Sequence, residues 1–324
     1  MYFGSVRFFK NLIFLAVCVL ILTPSILAVK LYRQIEQNTA ASAPPTEQQA
    51  DDAPELGSPN AVFEPDSPSF STDGLSFSQN PENGPGTPFA ADPPDYQNLY
   101  PDFFAPQPYG ATEREENMIY LTFDDGPSDR TDEILAVLAE KNVKATFFVT
   151  GKSNEKDLER MRRIVEEGHT IGMHSYSHVY AAIYASVEGF LEDFYKNFLQ
   201  IREVTGQSPT VFRFPGGSIN GYDGGFYKEI ISEMIRRGFV PFDWNISSED
   251  ASTTRIQSAS VLTANVVRGA RGKVRGFVLF HDSEAKTTTP RALGSTIDQL
   301  RAMGFEFAAI SPSTLPVLYN YEYQ

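Results

Sequence analysis

Short apolar runs alternate with amphipathic stretches from Met118 almost to the C-terminus, and this alternation constrains the fold more than any other feature. Met118–Phe123 reads as a buried strand ending on polar residues, followed by a helix over Asp129–Lys141 and a strand over Ala145–Thr150. A charged helix (Glu155–Glu167), a strand (Thr170–Met173) and a long helix (Val187–Thr205) come next. Further strands are expected at Val211–Phe214, Val240–Trp244, Gly276–Phe280 and near Phe305–Ile310, with helices at Tyr227–Arg237, Ser258–Arg271 and Pro290–Met303. Strand–helix alternation over about 200 residues predicts a parallel α/β sheet or barrel. In such folds the chemistry gathers at the C-terminal ends of the strands.

The N-terminal third is built differently. Leu12 to Val29 is an almost unbroken apolar run of 18 residues, flanked by Arg7 and Lys10 before it and Lys30 and Arg33 after it. That length just suffices for a helix to cross a bilayer, and the bases ahead of it favour a cytoplasmic N-terminus. Residues 1–33 are therefore expected to be a signal anchor, with a cleaved signal peptide ending near Ile26-Leu27-Ala28 as the rival. Both place the rest of the chain outside the cytoplasm. Leu15-Ala16-Val17-Cys18 bears a faint likeness to a lipidation box, but Val17 is too large for it.

Residues 34–113 hold 14 of the 22 prolines, thirteen acids and not one Lys or Arg. Such a composition cannot bury enough apolar surface to offset chain entropy, so a disordered acidic linker is expected. Tyr96, Leu99, Tyr100, Phe103, Phe104 and Tyr109 are too apolar for a free spacer and point to docking on the domain that starts at 114. The net charge of −14 is concentrated in this tract, and no basic patch offers a nucleic-acid interface. The single cysteine, Cys18, excludes an internal disulfide and a multi-Cys zinc site.

Polar residues do collect at the expected strand ends. The first strand runs into Thr122-Phe123-Asp124-Asp125-Gly126-Pro127. Two adjacent carboxylates can divide labour between holding a metal and holding a proton, although an Asp-rich turn also caps helices. The third ends in His174-Ser-Tyr-Ser-His178; two His four apart on a helical turn would share one face and could grip one ion. Taken alone, such a pair is more often ordinary surface or core. Yet the chain has only four His, and a third, His281, follows the run at 276–280. With Asp125 the pair makes a two-His, one-carboxylate set suited to zinc or another divalent transition metal. His169, at a helix-to-strand junction, reads as structural. Arg213-Phe214-Pro215-Gly216-Gly217-Ser218, the Trp244–Asp250 stretch and Leu279-Phe280-His281-Asp282 complete the strand ends.

In this order, TFDDGP (122–127), HSYSH (174–178), RFPGGS (213–218), Trp244–Asp250 and LFH (279–281) resemble the five motifs of the polysaccharide deacetylases, the NodB-homology group of carbohydrate esterase family 4. The resemblance covers about residues 115–315. It implies a distorted (β/α) barrel and metal-dependent removal of acetyl groups from N-acetylated sugars. Carried over, it makes Asp124 the general base, and Asp125, His174 and His178 the metal ligands, with Zn2+ expected and Co2+ an alternative. Arg213 would orient Asp124. The Gly216 N–H would join the metal at the oxyanion, Leu279 would line the acetyl pocket, and His281 would be the general acid with Asp250 as its partner.

Two departures bear on pocket shape. Gly216 sits where the family often has an aromatic, and Ala251 follows Asp250 where many members carry a Trp, a place Trp244 could take. An anchored domain on a spacer of about 80 residues would range on the order of 50 Å from the bilayer. That reach suits a cell-wall glycan, so peptidoglycan, deacetylated at N-acetylglucosamine or N-acetylmuramic acid, is the expected substrate. Chitin or poly-N-acetylglucosamine oligomers and O-acetylated xylan are alternatives within the chemistry. A glycan-binding pseudoenzyme and a phosphoesterase are the alternatives outside it; the intact site residues speak against the first and the small number of carboxylates against the second.

Overall fold

The computed structural model describes residues 93–106, 115–222, 225–251 and 255–319. The expected anchor at 1–33 and the tract up to residue 92 lie outside the described residues. No described helix is long and apolar enough to cross a membrane.

Among the described residues eight strands form one sheet: β1 (Met118–Asp124), β2 (Thr146–Val149), β3 (Thr170–Met173), β4 (Val211–Phe212), β5 (Val240–Pro241), β6 (Ile246–Ser247), β7 (Arg275–His281) and β8 (Glu306–Phe307). The order is β5-β4-β3-β2-β1-β7-β6, with β8 also paired to β1, and every ladder is parallel. Seven helices lie between the strands: α1 (Asp129–Lys141), α2 (Glu155–Glu166), α3 (Tyr180–Ile183), α4 (Val187–Thr205), α5 (Tyr227–Arg236), α6 (Ala259–Ala270) and α7 (Thr289–Ala302). This is the distorted, open (β/α) barrel that the alternation and the motif resemblance lead to.

Local chemistry accounts for most boundaries. Ser128 caps α1 reciprocally: its hydroxyl accepts from the Arg130 N–H at 3.0 Å, while its own N–H donates to Thr131 Oγ1 at 2.8 Å. Asn142 ends that helix in the left-handed region at φ 49°, and Gly206 ends α4 at φ 70°. β1 is buried on both faces, as a central parallel strand should be, with Phe123 between Phe147 (ring centroids 5.0 Å apart) and Phe280 (5.7 Å).

Three elements differ from the sequence reading. The expected strand at Val211–Phe214 ends at Phe212, although the Arg213 N–H still donates to the Met173 carbonyl at 2.9 Å before the chain turns through Pro215. Of the expected strand Val240–Trp244 only Val240–Pro241 pairs, as β5 against β4; the next strand, β6, starts at Ile246, beyond the expected range, and pairs with β7 at the opposite end of the sheet order. Between them the Asp243 N–H donates to the Val317 carbonyl at 2.8 Å, so the chain crosses the barrel's gap without closing it. The short helix α3 was not expected.

Residues 93–106 pack on the domain, which places the start of the folded unit upstream of the expected 113/114 boundary. After a 3-10 turn at Asp95–Asn98, Phe103 is fully buried against Phe239 (4.8 Å), Phe198 (5.1 Å) and Tyr195 (5.5 Å). The buried Arg237 guanidinium donates to the carbonyls of Leu99 (2.8 Å), Tyr100 (3.0 Å), Tyr96 (3.3 Å) and Phe103 (3.3 Å) and pairs with buried Glu233 at 2.6 Å. A segment with no partner strand thereby finds a donor for four backbone carbonyls. Phe103→Ala is expected to cost about 3–5 kcal/mol by denaturant unfolding. Phe104→Ala, at a position 40% exposed, should stay within about 1 kcal/mol. Equal costs would show that this strap is not part of the core.

Candidate active site

Asp124 is the last residue of β1 and lies in register with His281, the last residue of β7. The next residue, Asp125, takes φ 74°, a left-handed conformation costly for a side chain with a Cβ. That turn takes Asp125 out of the strand's alternation and sets its carboxylate toward the loop after β3. Gly126 must be glycine: a Cβ there would lie 2.3 Å from Asp282 Oδ2. Asp282, which the sequence reading left without a role, is fully buried and accepts from Thr131 Oγ1 (2.7 Å) and Ser128 Oγ (3.2 Å). Its own N–H donates to the Asp124 carbonyl at 2.6 Å. Burial pushes its carboxyl up to about 8, against the pull of those hydroxyls, so it is largely protonated at neutral pH.

Asp125 Oδ1 stands 3.2 Å from His178 Nε2 and 3.6 Å from His174 Nε2, and one ligand atom from each of the three lies within 4.8 Å of the others. His174 Nδ1–H donates to the Arg213 carbonyl at 2.9 Å, which leaves Nε2 unprotonated and facing Asp125. The two His do not share a helical turn, as their spacing suggested. Residues 174–178 form a bend, with Ser175 at φ 93° and His178 at φ 53°. Both oxygens of Asp193, on α4, hold this bend by accepting from the N–H groups of Tyr176 (2.7 Å) and Ser177 (3.0 Å). Nothing near the motif in the sequence points to Asp193.

Charge follows the geometry. Burial raises Asp125, but the His178 hydrogen bond and the charges of the neighbouring His outweigh it and hold the carboxylate well below its usual range. The same bond raises His178, whereas burial lowers His174. The ionised Asp125 and the neutral His174 are in the state a divalent ion needs, whereas His178, raised by Asp125, would give up its proton to such an ion; the nitrogen–oxygen donor set suits zinc.

Arg213 is entirely buried and donates to Asp124 Oδ1 (2.9 Å), Thr122 Oγ1 (2.6 Å) and the carbonyls of Phe242 and Asp243 (2.9 Å each). Asp124 Oδ2 is left 3.8 Å from His174 Nε2. His281 is fixed by Asp250: Nδ1–H donates to Oδ1 at 2.7 Å, the backbone N–H to Oδ2 at 2.8 Å, and Thr289 Oγ1 also donates to Oδ2 at 2.9 Å. Burial opposes the charged imidazole, but Asp250 prevails and raises His281 above its ordinary value. Lys286, also overlooked, donates to the Asp250 carbonyl at 3.0 Å.

These groups line one cleft of about 520 Å3, together with Gly216, Leu279, Trp244 and Ala251. Every residue singled out from the sequence as part of the site therefore converges there or, for Arg213, directly behind it. His169 does not; its Nδ1 accepts from the Ala145 N–H at 3.1 Å, a structural role. Trp244 is braced by Tyr319 (ring centroids 5.3 Å, 80° apart). Buried Asp243, which no motif spacing singled out, accepts from the N–H groups of Ser218 (2.9 Å) and Tyr319 (2.8 Å) and so ties the 213–218 loop to the C-terminal segment.

A family model described as Polysaccharide deacetylase matches residues 111–224. A peptidoglycan-N-acetylglucosamine deacetylase of Bacillus cereus is 31% identical over 199 residues, 60% of this chain and 70% of its own length. PgdA, the peptidoglycan-N-acetylglucosamine deacetylase of Listeria monocytogenes, is 34% identical over 193 residues; the match spans 59% of this chain but only 38% of that protein. Among solved structures, the catalytic domain of a peptidoglycan N-acetylglucosamine deacetylase from Eubacterium rectale superposes with TM-score 0.62 at 32% identity, covering 66% of this chain and 98% of that one. With the barrel and the convergent site, these likenesses show that the chain belongs to the polysaccharide deacetylase family.

Proposed function

We propose that this chain hydrolyses the N-acetyl group of a cell-wall glycan, with peptidoglycan N-acetylglucosamine as the leading substrate and a zinc ion as cofactor. The observation that carries the reading is the meeting, in one cleft, of the Asp125–His174–His178 cluster with a carboxylate fixed by Arg213 and an imidazole fixed by Asp250. The names of the Bacillus, Listeria and Eubacterium relatives support the choice of substrate.

When bound by the three ligands, the ion supplies Lewis-acid chemistry that polarises the acetyl carbonyl and makes water more acidic. Asp124, its Oδ1 fixed by Arg213, takes the proton of the attacking water through Oδ2. Gly216 offers its backbone N–H to the oxygen that gains charge, and Leu279 faces the acetyl methyl. His281, protonated and oriented through Nδ1, gives a proton from Nε2 to the departing amine. One C–O bond forms and the C–N bond breaks, leaving acetate and a free amino sugar. The apolar run at 12–29, which lies outside the described residues, is our basis for placing this activity at the cell surface, on a single-pass anchor.

The first test is acetate release from peptidoglycan and from chitin oligomers, with chelator and with zinc restored. Release from peptidoglycan that stops with chelator and returns with zinc is expected; reaction with the oligomers alone would overturn the wall assignment, and no release from either would overturn the activity. Asp124→Asn should lose about 10²–10⁴ in kcat while its zinc content by elemental analysis is unchanged. His174→Ala and His178→Ala should lose zinc; full occupancy in both would remove them from the ligand set.

Because His281 acts in its protonated form and its value is raised, kcat should fall on the alkaline side, at a pH above the ordinary imidazole value of about 6.5. Removing the Asp250 charge with Asp250→Asn should move that limb to lower pH. The same pair contributes stability below pH of about 6.5 that is lost as pH rises through the raised value. A pH profile that does not move in Asp250→Asn would separate His281 from Asp250.

A further inference from the structure

Gly216 lines the cleft at φ 80°, and a Cβ placed there would lie 3.1 Å from Cε1 and 3.2 Å from Oη of Tyr180. The space beside it is thus already filled, by a side chain from the first residue of α3, two positions after His178. The Tyr180 ring stands nearly perpendicular to that of His178 (5.5 Å, 86°) and packs against Tyr222 (4.9 Å, 65°), which is 64% exposed at the rim. Behind it, Tyr184 lies at 5.9 Å and spends its hydroxyl on the Pro215 carbonyl at 2.7 Å.

The Tyr180 hydroxyl differs from its neighbours. His174 is committed to Arg213, Tyr184 to Pro215, and Asn220 to Gly217 at 3.0 Å, but among the described residues no hydrogen bond occupies the Tyr180 hydroxyl. A phenol whose hydroxyl makes no bond within the protein can donate one to a ligand. A half-buried aromatic ring with a spare donor, beside the Asp125–His174–His178 cluster in an open cleft, presents an apolar face and one polar contact together. A pyranose ring, with C–H faces and hydroxyl acceptors, matches both.

We propose that Tyr180, extended at the rim by Tyr222, is the wall against which the pyranose ring bearing the scissile acetamide is seated. The aromatic contact to the sugar then comes from the segment after β3, and the 213–218 loop contributes only backbone there. This rests on the glycan deacetylase reading above. Tyr180 would touch the substrate without exchanging a proton with it.

The test uses the full-length, zinc-loaded protein in an Asp124→Asn background, so that ligand persists, and titrates the β-1,4-linked tetramer of N-acetylglucosamine by calorimetry. Adding Tyr180→Ala should weaken binding at least about tenfold, and Tyr180→Phe about threefold, with zinc content and Tm unchanged. In the otherwise native protein, Tyr180→Ala should raise KM by a similar factor while kcat stays within about threefold. Equal affinity in the presence and absence of the ring would overturn the inference, as would a Tyr180→Ala protein that loses zinc or kcat at unchanged KM, because Tyr180 would then serve only to support His178 and the loop. Failure of the tetramer to bind Asp124→Asn at all would also overturn it. A native protein that binds the tetramer through Tyr180 yet releases no acetate from any polymer would sink the deacetylase reading and leave the sugar wall standing.

Discussion

Arg213 is the interaction on which the site depends. Its guanidinium, wholly excluded from water, holds Asp124 and Thr122 on β1 and two carbonyls of the crossing after β5, while its own carbonyl fixes the tautomer of His174. The ring of Phe148 packs 4.3 Å from the guanidinium carbon. Burying such a charge is costly, and a pair of this kind is poor evidence for stability. What it provides is geometry: one side chain sets the free oxygen of the carboxylate and the free nitrogen of the imidazole with respect to each other. Arg suits this because its planar fork spreads several donors in fixed directions.

Around that centre the backbone is held where it would not go unaided. Asp125, Ser175 and His178 all sit at positive φ without being glycine. Each is over-determined by neighbours: Asp282 beneath the Asp125 turn, Asp193 across the bend at 175–177, and Ser175 Oγ accepting from the His178 N–H at 2.8 Å. Strain of this kind persists only where surrounding contacts fix it, and here those contacts come from Asp193 on α4, Asp282 beyond β7 and the Ser175 hydroxyl. On the acid side Asp250 accepts from three donors, two of them on His281 itself, and follows Glu249, which is also at positive φ (63°).

The two departures from the family's motifs have different structural contexts. At Gly216 the vacant side-chain volume is taken by Tyr180, and at Ala251 the cleft wall is shared with Trp244, braced by Tyr319. The C-terminal segment is therefore part of the site's support. The structure joins it to the 213–218 loop through buried Asp243.

The sequence by itself determined the chemistry and its order along the chain. Strand ends were legible because a parallel sheet buried on both faces demands apolar runs, and the polar residues that interrupt them stand out. Asp124, Asp125, His174, His178, Arg213, Asp250 and His281 could all be named that way, and the helices over 129–141 and 187–205 carry their own caps. Only the tertiary structure decided how these groups meet. The bend that carries the two His is set by Asp193, the early end of the strand expected over 240–244 goes with the Asp243 N–H turning to the Val317 carbonyl, and the strap at 93–106 is fixed by Arg237. In each case the deciding contact joins residues far apart in the chain, as Arg213 and Asp124 are by 89 positions, and local propensity and motif spacing carry no record of such contacts.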